Sequence, residues 1–355
     1  MTHVSALMSI GANRLLFMMN EILEEDITDF ASSFALANEF GKSRVLVTGA
    51  TGLIGSTLVR CLLALDRDVH LVCPVRSVEK AYRLLGDKAQ RVEWIEGDLL
   101  DVLDSLHVGC DYIVHCASPT AGGYMMEHPA ETYELAIEST RKLLRYAMKC
   151  SAKSMVYISS LEYYGQNMDD HVIDENFVGL VAASSPRSSY PMGKRAAEYL
   201  CFAYAREYGV NVKTARLTQT FGAGVAAEDN RVFAQFAKSV MRGDDIVMHT
   251  KGESAKPYCY TTDCVSAILY ILRKGQNGEA YNVANPDTYI SIREMAEFLC
   301  REFNSRVKVL VEEHPEMGYA PVTKLRLSAE KLMRLGWQPR YGLKEMFDRL
   351  IKWYN

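Results

Sequence analysis

Arg44-Val45-Leu46-Val47-Thr48-Gly49-Ala50-Thr51-Gly52-Leu53-Ile54-Gly55 is the stretch that decides the fold of this chain. Its first five residues are a short apolar, β-branched run of the kind that forms a buried parallel strand. The three glycines permit a tight turn, let backbone approach a pyrophosphate, and let the next helix, expected over Ser56 to Leu65, pack closely on the strand. The N-terminus of that helix then faces the anion. The spacing is G-x-x-G-x-x-G rather than the commoner G-x-G-x-x-G, but the strand before and the helix after supply the context a dinucleotide site requires. Gly49, Thr51, Gly52, Leu53, Ile54 and Gly55 are the expected cofactor loop.

Outward from that loop, strand and helix patterns alternate from Arg44 to about Thr214. This predicts an α/β fold, a Rossmann-type doubly wound parallel sheet with helices on both faces. The second strand reads as Val69-His70-Leu71-Val72-Cys73, so Cys73 stands where an acidic residue would hold the adenosine ribose hydroxyls. Arg76 follows closely and suits either a 2′-phosphate or the adenine face. NAD is the expected cofactor, with NADP left open on this ground. A third strand runs to Glu96-Gly97-Asp98-Leu99, where Asp98 is positioned for the adenine amino group with Leu99 beside it. A surface carboxylate at a strand end is the plainer alternative.

Further along, Arg187-Ser188-Ser189-Tyr190-Pro191-Met192-Gly193-Lys194 places Tyr190 and Lys194 one helical turn apart. An ammonium beside a phenol favours the phenolate, so Tyr190 is a candidate base. The same spacing also occurs on ordinary solvated helix faces.

These motifs, with His115-Cys116-Ala117-Ser118 and Ser159-Ser160-Leu161-Glu162-Tyr163-Tyr164-Gly165 between them, occur in an order that resembles the extended short-chain dehydrogenase/reductases. Within these the chain resembles the NAD-dependent nucleotide-sugar epimerase/dehydratase group. It is most similar to UDP-glucuronate decarboxylases, through Ala117-Ser118-Pro119, Tyr124-Met125, Pro129, Asp229-Asn230-Arg231-Val232, the segment Pro257 to Asp263 and the ending Leu335-Gly336-Trp337-Gln338-Pro339. The resemblance runs from about Lys42 to the C-terminus.

The resemblance implies that Tyr190, Lys194, Ser160 and Glu162 are catalytic and that Ala117 joins Tyr190 and Lys194 at the cofactor. It further implies that Ser118, Tyr124, Gln219, Arg231 and Lys256 meet a nucleotide-diphosphate sugar. Tyr190 would remove a sugar hydroxyl proton, Ser160 would hydrogen-bond the oxygen as it becomes a carbonyl, and Glu162 would act as acid or base. A keto-sugar intermediate could then lose carbon dioxide, be reduced from the opposite face as in a 4-epimerase, or belong to an NADPH-dependent keto-sugar reductase. A non-catalytic cofactor sensor fits less well, because such proteins usually lose the tyrosine or the lysine.

Several positions depart from the family pattern. Leu161 replaces the aspartic acid of 4,6-dehydratases, and an aliphatic side chain cannot protonate a leaving hydroxyl. Lys256 replaces the arginine of decarboxylases and loses its two-pronged grip on an oxyanion. Gln219 and Ala136 stand where asparagine is usual.

Composition sets the outer limits. The net charge of −4 and a pI near 6.1 give no electrostatic case for nucleic acid or an anionic membrane. Nine cysteines without C-x-x-C pairs suggest neither a disulfide framework nor a zinc site, so a reducing cytoplasm and no metal are expected. No apolar run is long enough to span a bilayer, and Leu15 to Met19 lacks the flanks of a signal peptide. Residues 1–41 read as an N-terminal helical extension, with an amphipathic helix from about Asn20 to Phe40 packing on the domain or on a neighbouring subunit. The cofactor domain is expected over 42–217 and 257–285, and a smaller α/β substrate-binding region over 218–256 and 286–355. Helices over about Pro129 to Cys150 and Pro191 to Tyr208 match those that pair relatives into a homodimer.

Overall fold

The structure is a computed structural model in which residues 21–65, 67–119, 122–314 and 321–355 are described. Seven strands form one all-parallel sheet: β1 (Arg44–Thr48), β2 (His70–Val75), β3 (Val92–Glu96), β4 (Tyr112–His115), β5 (Ser154–Ser160), β6 (Val212–Leu217) and β7 (Ala280–Val283). Their order is 3-2-1-4-5-6-7, and the strand order reverses between β1 and β4. A doubly wound sheet opens its ligand crevice at that reversal, outside the carboxyl ends of the strands.

The apolar run of β1 serves two cores at once. Val45 and Val47 point into a cluster shared with the helices Leu53–Ala64 and Thr261–Lys274. Leu46 points into another, shared with the helices Pro129–Lys149 and Ser189–Tyr208. Side chains alternate across a strand, so a sheet covered on both faces needs apolar residues at every position.

β2 is longer than its apolar core suggests. The strand was expected over Val69 to Cys73, yet it runs His70–Val75, through Pro74. Pairing to β1 stops at Leu46↔Val72, while pairing to β3 continues through Pro74↔Ile95 and Val75↔Glu96. Pro74 therefore lies beyond the last β1–β2 pair, so its missing N–H interrupts no pairing on that side.

A second, three-stranded sheet joins Gln219–Phe221, Ala255–Tyr260 and Asn285–Ser291. It shares an apolar core with the helices Val232–Arg242, Ile292–Phe303 and Leu343–Tyr354. Residues 258–260 pair within this sheet, and the division expected at residue 257 falls inside the strand Ala255–Tyr260; the helix Thr261–Lys274 then returns the chain to the main sheet.

The backbone is helical over 21–33, with a 3₁₀ turn at Ala37–Phe40. Leu23, Ile27, Phe30 and Phe34 lie in the main core, so this segment packs on its own domain. Asp26 accepts hydrogen bonds from Tyr260 and Arg349, the latter at 2.6 Å. The run Leu15 to Met19 lies outside the described residues.

Candidate active site

The glycine turn is built by close backbone contact. Gly49 has φ +69°, and a Cβ there would lie 2.7 Å from the Ala117 nitrogen. A Cβ on Gly55 would lie 2.2 Å from the Gly49 carbonyl oxygen, so the helix touches the turn through bare backbone. Gly52 caps the helix Leu53–Ala64 without a side-chain hydrogen bond, and no acidic residue occupies its first turn. The positive helix end is left to an anion, which fits a dinucleotide pyrophosphate.

A buried relay fixes the opposite wall. The Ala117 N–H donates to Thr48 Oγ1 at 3.2 Å, and Thr48 meets His115 Nδ1 at 2.7 Å. His115 Nε2 meets Ser139 Oγ at 3.1 Å, and Ser139 donates to the Leu135 carbonyl at 2.6 Å. These partners assign the proton to Nε2 in a neutral ring. Burial and the nearby Lys194 charge push the His115 pKa down to about 3, so the ring stays neutral. Sequence reasoning quoted His115 only as part of a motif; its separations from Thr48 and Ser139, 67 and 24 residues, hide the relay.

The ribose edge differs from expectation. Cys73 is fully buried inside β2, and burial pushes its thiol up. Because the strand runs two residues further, the exposed side chain beyond its end is Arg76. Asp98 caps the helix Leu99–Ser105, accepting from the Leu100 N–H at 2.9 Å; at least one carboxylate oxygen is thus used locally.

Tyr190 and Lys194 share the helix Ser189–Tyr208. Pro191 is tolerated in its first turn, where backbone N–H groups have no intrahelical partner. Lys194 is buried, donates to the Ile158 carbonyl at 2.8 Å, and lies 5.5 Å from the centre of the Tyr190 ring. Burial lowers its pKa to about 8. Burial raises Tyr190 to about 12, against a hydrogen bond with Ser160 that favours the phenolate and a nearby Glu162 charge that opposes it. In the protein alone, desolvation of Tyr190 outweighs the other influences on it, and one of the three Lys194 N–H donors is used on the Ile158 carbonyl.

Ser160 ends β5 and accepts from the Glu162 N–H at 3.2 Å, starting the 3₁₀ turn Leu161–Tyr164. Its neighbour Ser159 points into the core. Glu162 is exposed and its charge reaches both Tyr190 and Lys256. Lys256 is held below its usual pKa by burial, while Glu162 acts in the opposite sense. Ser160, Glu162, Tyr190, Lys194 and Lys256 thus gather at the carboxyl end of β5. Leu161 turns away into an apolar cluster with Ile173, Leu325 and Leu327.

The 3₁₀ turn is held from behind by residues that the sequence did not single out. Arg216 makes a buried ion pair with Glu198, lies 3.6 Å from the Tyr163 ring centre, and donates to Tyr164 Oη at 2.9 Å. Arg195 donates to the Tyr163 carbonyl at 2.6 Å. The 18-residue separation of Arg216 and Glu198 gives no local signal.

The other expected substrate residues are more dispersed. Gln219 is half-buried in the second sheet, paired with Tyr258. Arg231 caps the helix Val232–Arg242 but is gripped by Asp229, with Nη2 to Oδ2 at 2.6 Å. Ser118 donates to the Pro119 carbonyl at 3.5 Å. Tyr124 lies on the helix Gly122–Glu127 beside Glu131, which pushes its phenol up, and within reach of the Arg76 charge. Ala136 faces Gly193 where the two long helices meet; a Cβ on Gly193 would sit 3.3 Å from that of Ala136.

The model of the NAD-dependent epimerase/dehydratase family matches residues 45–284, from β1 through β7. The chain belongs to this family. Among members of the NAD-dependent epimerase/dehydratase family, it is 27% identical over 349 residues to UDP-glucuronic acid decarboxylase 1 of Danio rerio, covering 94% of this chain and 79% of that one. It is 29% identical over 308 residues to UDP-glucuronic acid decarboxylase 6 of Arabidopsis thaliana, covering 85% of this chain and 86% of that one. The fold also matches a UDP-glucose 4-epimerase of Thermotoga maritima solved with UDP-glucose, at a TM-score of 0.76 and 22% identity, covering 88% of this chain and 98% of that one. A UDP-glucuronic acid 4-epimerase of Bacillus cereus solved with NAD gives a TM-score of 0.71 at 20% identity, covering 88% and 96%.

Two features bear on the other expectations. Among the described residues no helix is long and apolar enough to cross a membrane. His249, Glu312 and His314 bring ligand-type atoms within 4.8 Å of one another beside the paired strands Ile246–Met248 and Val309–Val311, an arrangement that does not test the expectation of no metal.

Proposed function

We propose that this chain converts a nucleotide-diphosphate sugar through a transient keto-sugar, most like a UDP-glucuronate decarboxylase. The observation that carries this reading is the convergence of Tyr190, Ser160, Glu162 and Lys256 beyond β5, on the same sheet edge as the glycine turn. The turn would hold NAD at Gly49, Gly52 and Gly55, with Ala117 opposite and Arg76 at the ribose edge. Bound NAD supplies a hydride acceptor and donor.

Tyr190 takes the proton of the sugar hydroxyl, and Ser160 donates to the same oxygen as it becomes a carbonyl. Lys194 keeps a positive charge beneath the Tyr190 ring. A 4-keto uronic acid is a β-keto acid and loses carbon dioxide readily. Lys256 would pair with the sugar carboxylate or the diphosphate, and Glu162 would return a proton to the sugar carbon. Decarboxylases sharing 27–29% identity over most of the chain support this choice, and the buried Leu161 speaks against 4,6-dehydration.

Arg76 at the end of β2 favours one second reading, an NADPH-dependent reductase. Incubation of the purified protein with UDP-, dTDP-, GDP- and CDP-sugars, with and without NAD or NADP, separates the readings by chromatography that resolves sugar isomers, followed by mass spectrometry. Release of carbon dioxide from UDP-glucuronate supports decarboxylation. Exchange between isomers of equal mass would replace it with epimerisation, and stoichiometric NADPH consumption with reduction.

A homodimer belongs to the same proposal. Met192, Tyr199 and Phe202 on the helix Ser189–Tyr208 and Tyr133 on the helix Pro129–Lys149 are exposed, which suits a face for a second copy.

A further inference from the structure

Of the nine cysteines, Cys110 and Cys150 alone bring their sulfurs into contact, at 3.6 Å. Cys110 precedes β4 and is buried, whereas Cys150 closes the helix Pro129–Lys149 and is partly exposed. Tyr146, one turn earlier, donates to the Val108 carbonyl and fastens that helix end to the Cys110 loop. Ser151, with φ 53°, turns the chain sharply after Cys150, and the Ala152 N–H returns to the Ala147 carbonyl at 2.9 Å. A helix C-terminus disfavours an anion. Here the Cys110 thiol hydrogen bond and nearby backbone N–H groups outweigh it and lower the Cys150 pKa to about 6, despite partial burial.

We propose that Cys110 and Cys150 are a thiol-modification site that closes to a reversible disulfide when the protein meets hydrogen peroxide. The Cys150 sulfur attacks one peroxide oxygen: an S–O bond forms, the O–O bond breaks, and the departing hydroxide takes up a proton as water. The Cys110 sulfur then attacks Cys150: the S–S bond forms, the S–O bond breaks, and the second hydroxide leaves as water with the Cys110 proton. Two thiols and one peroxide give one disulfide and two waters. To form the bridge the sulfurs must approach from 3.6 Å to about 2.05 Å. Cys116 and Cys300 are also partly exposed but have no thiol in contact, so they lack a resolving partner.

The test oxidises the reduced full chain with a few equivalents of hydrogen peroxide, alkylates the remaining thiols, and maps peptides by mass spectrometry. The expected product has lost two hydrogens, contains a linked Cys110–Cys150 peptide, and reverts with dithiothreitol. In C110S the same treatment should leave Cys150 as a sulfenic acid that dimedone traps, and in C150S no bridge should form. Oxidation of Cys116 or Cys300 ahead of Cys150 would overturn the proposal. So would a wild-type map in which Cys110 and Cys150 remain alkylatable after the other partly exposed thiols have reacted.

Discussion

Tyr190 concentrates the chemistry and its difficulty in one side chain. Burial raises it to about 12, so in the protein alone it is a phenol at neutral pH. Ultraviolet difference titration of wild type against Y190F should therefore show no Tyr190 ionisation below about pH 11; a transition near pH 7 would show that Lys194 activates it unaided. With substrate and cofactor present, Y190F should lower turnover by about 10²–10⁴-fold, the usual contribution of a general base, while fluorescence titration shows NAD binding intact. Lys194 sets the other limit. Its pKa is lowered to about 8, so its ammonium is present below that pH and lost above it, and turnover should fall as pH rises through about 8. A rate that stays level to pH 10 would remove Lys194's charge from the mechanism.

At the scale of the element, the cofactor turn was legible because its signals are local: an apolar strand, three glycines at 49, 52 and 55, and the helix that begins among them. The contacts explain the spacing, since Gly55 touches Gly49 and Gly49 touches Ala117. G55A should accordingly force the helix off the turn and weaken NAD binding by at least tenfold in calorimetric titration, with a lower thermal midpoint. The end of β2 was less legible, because Pro74 reads as a stop unless it is known where the pairing to each neighbour ends. The turn bearing Glu162 was legible as a motif, but its support by Arg216 and Glu198 was not, since nothing in sequence marks which buried charges meet. The N-terminal helix could be read as amphipathic; its dock against Tyr260 and Arg349 could not. Phe30 stacks on Phe34 at 4.9 Å and both are buried. F30A should cost about 3–5 kcal/mol in denaturant unfolding, the range for a buried phenylalanine.

Across the whole molecule, two buried carboxyls give stability a pH dependence. Asp263 accepts from the Arg340 and Tyr341 N–H groups at 2.9 and 3.0 Å, and Asp26 from Tyr260 and Arg349. Burial raises both from 3.8 to about 6. Between about pH 4 and 6 the folded state binds more protons at these sites than the unfolded state, so their contribution to stability decreases as pH rises and levels off above 6. D263N retains an acceptor for the two N–H groups without the charge. Its stability relative to wild type should therefore increase between pH 4 and 6 in denaturant titrations, by an amount on the order of 3 kcal/mol at most. A constant difference across that window would show that Asp263 does not titrate there.

The clasp of Asp26 by Arg349 has a consequence for synthesis. The two residues are 323 positions apart, and at about 5–20 residues per second the ribosome needs roughly 15–65 s to supply the second after the first. Throughout that interval the apolar face of Leu23, Ile27, Phe30 and Phe34 lacks part of its final binding surface. The nascent chain should therefore be a client of chaperones that hold exposed apolar helices until the C-terminal helix emerges.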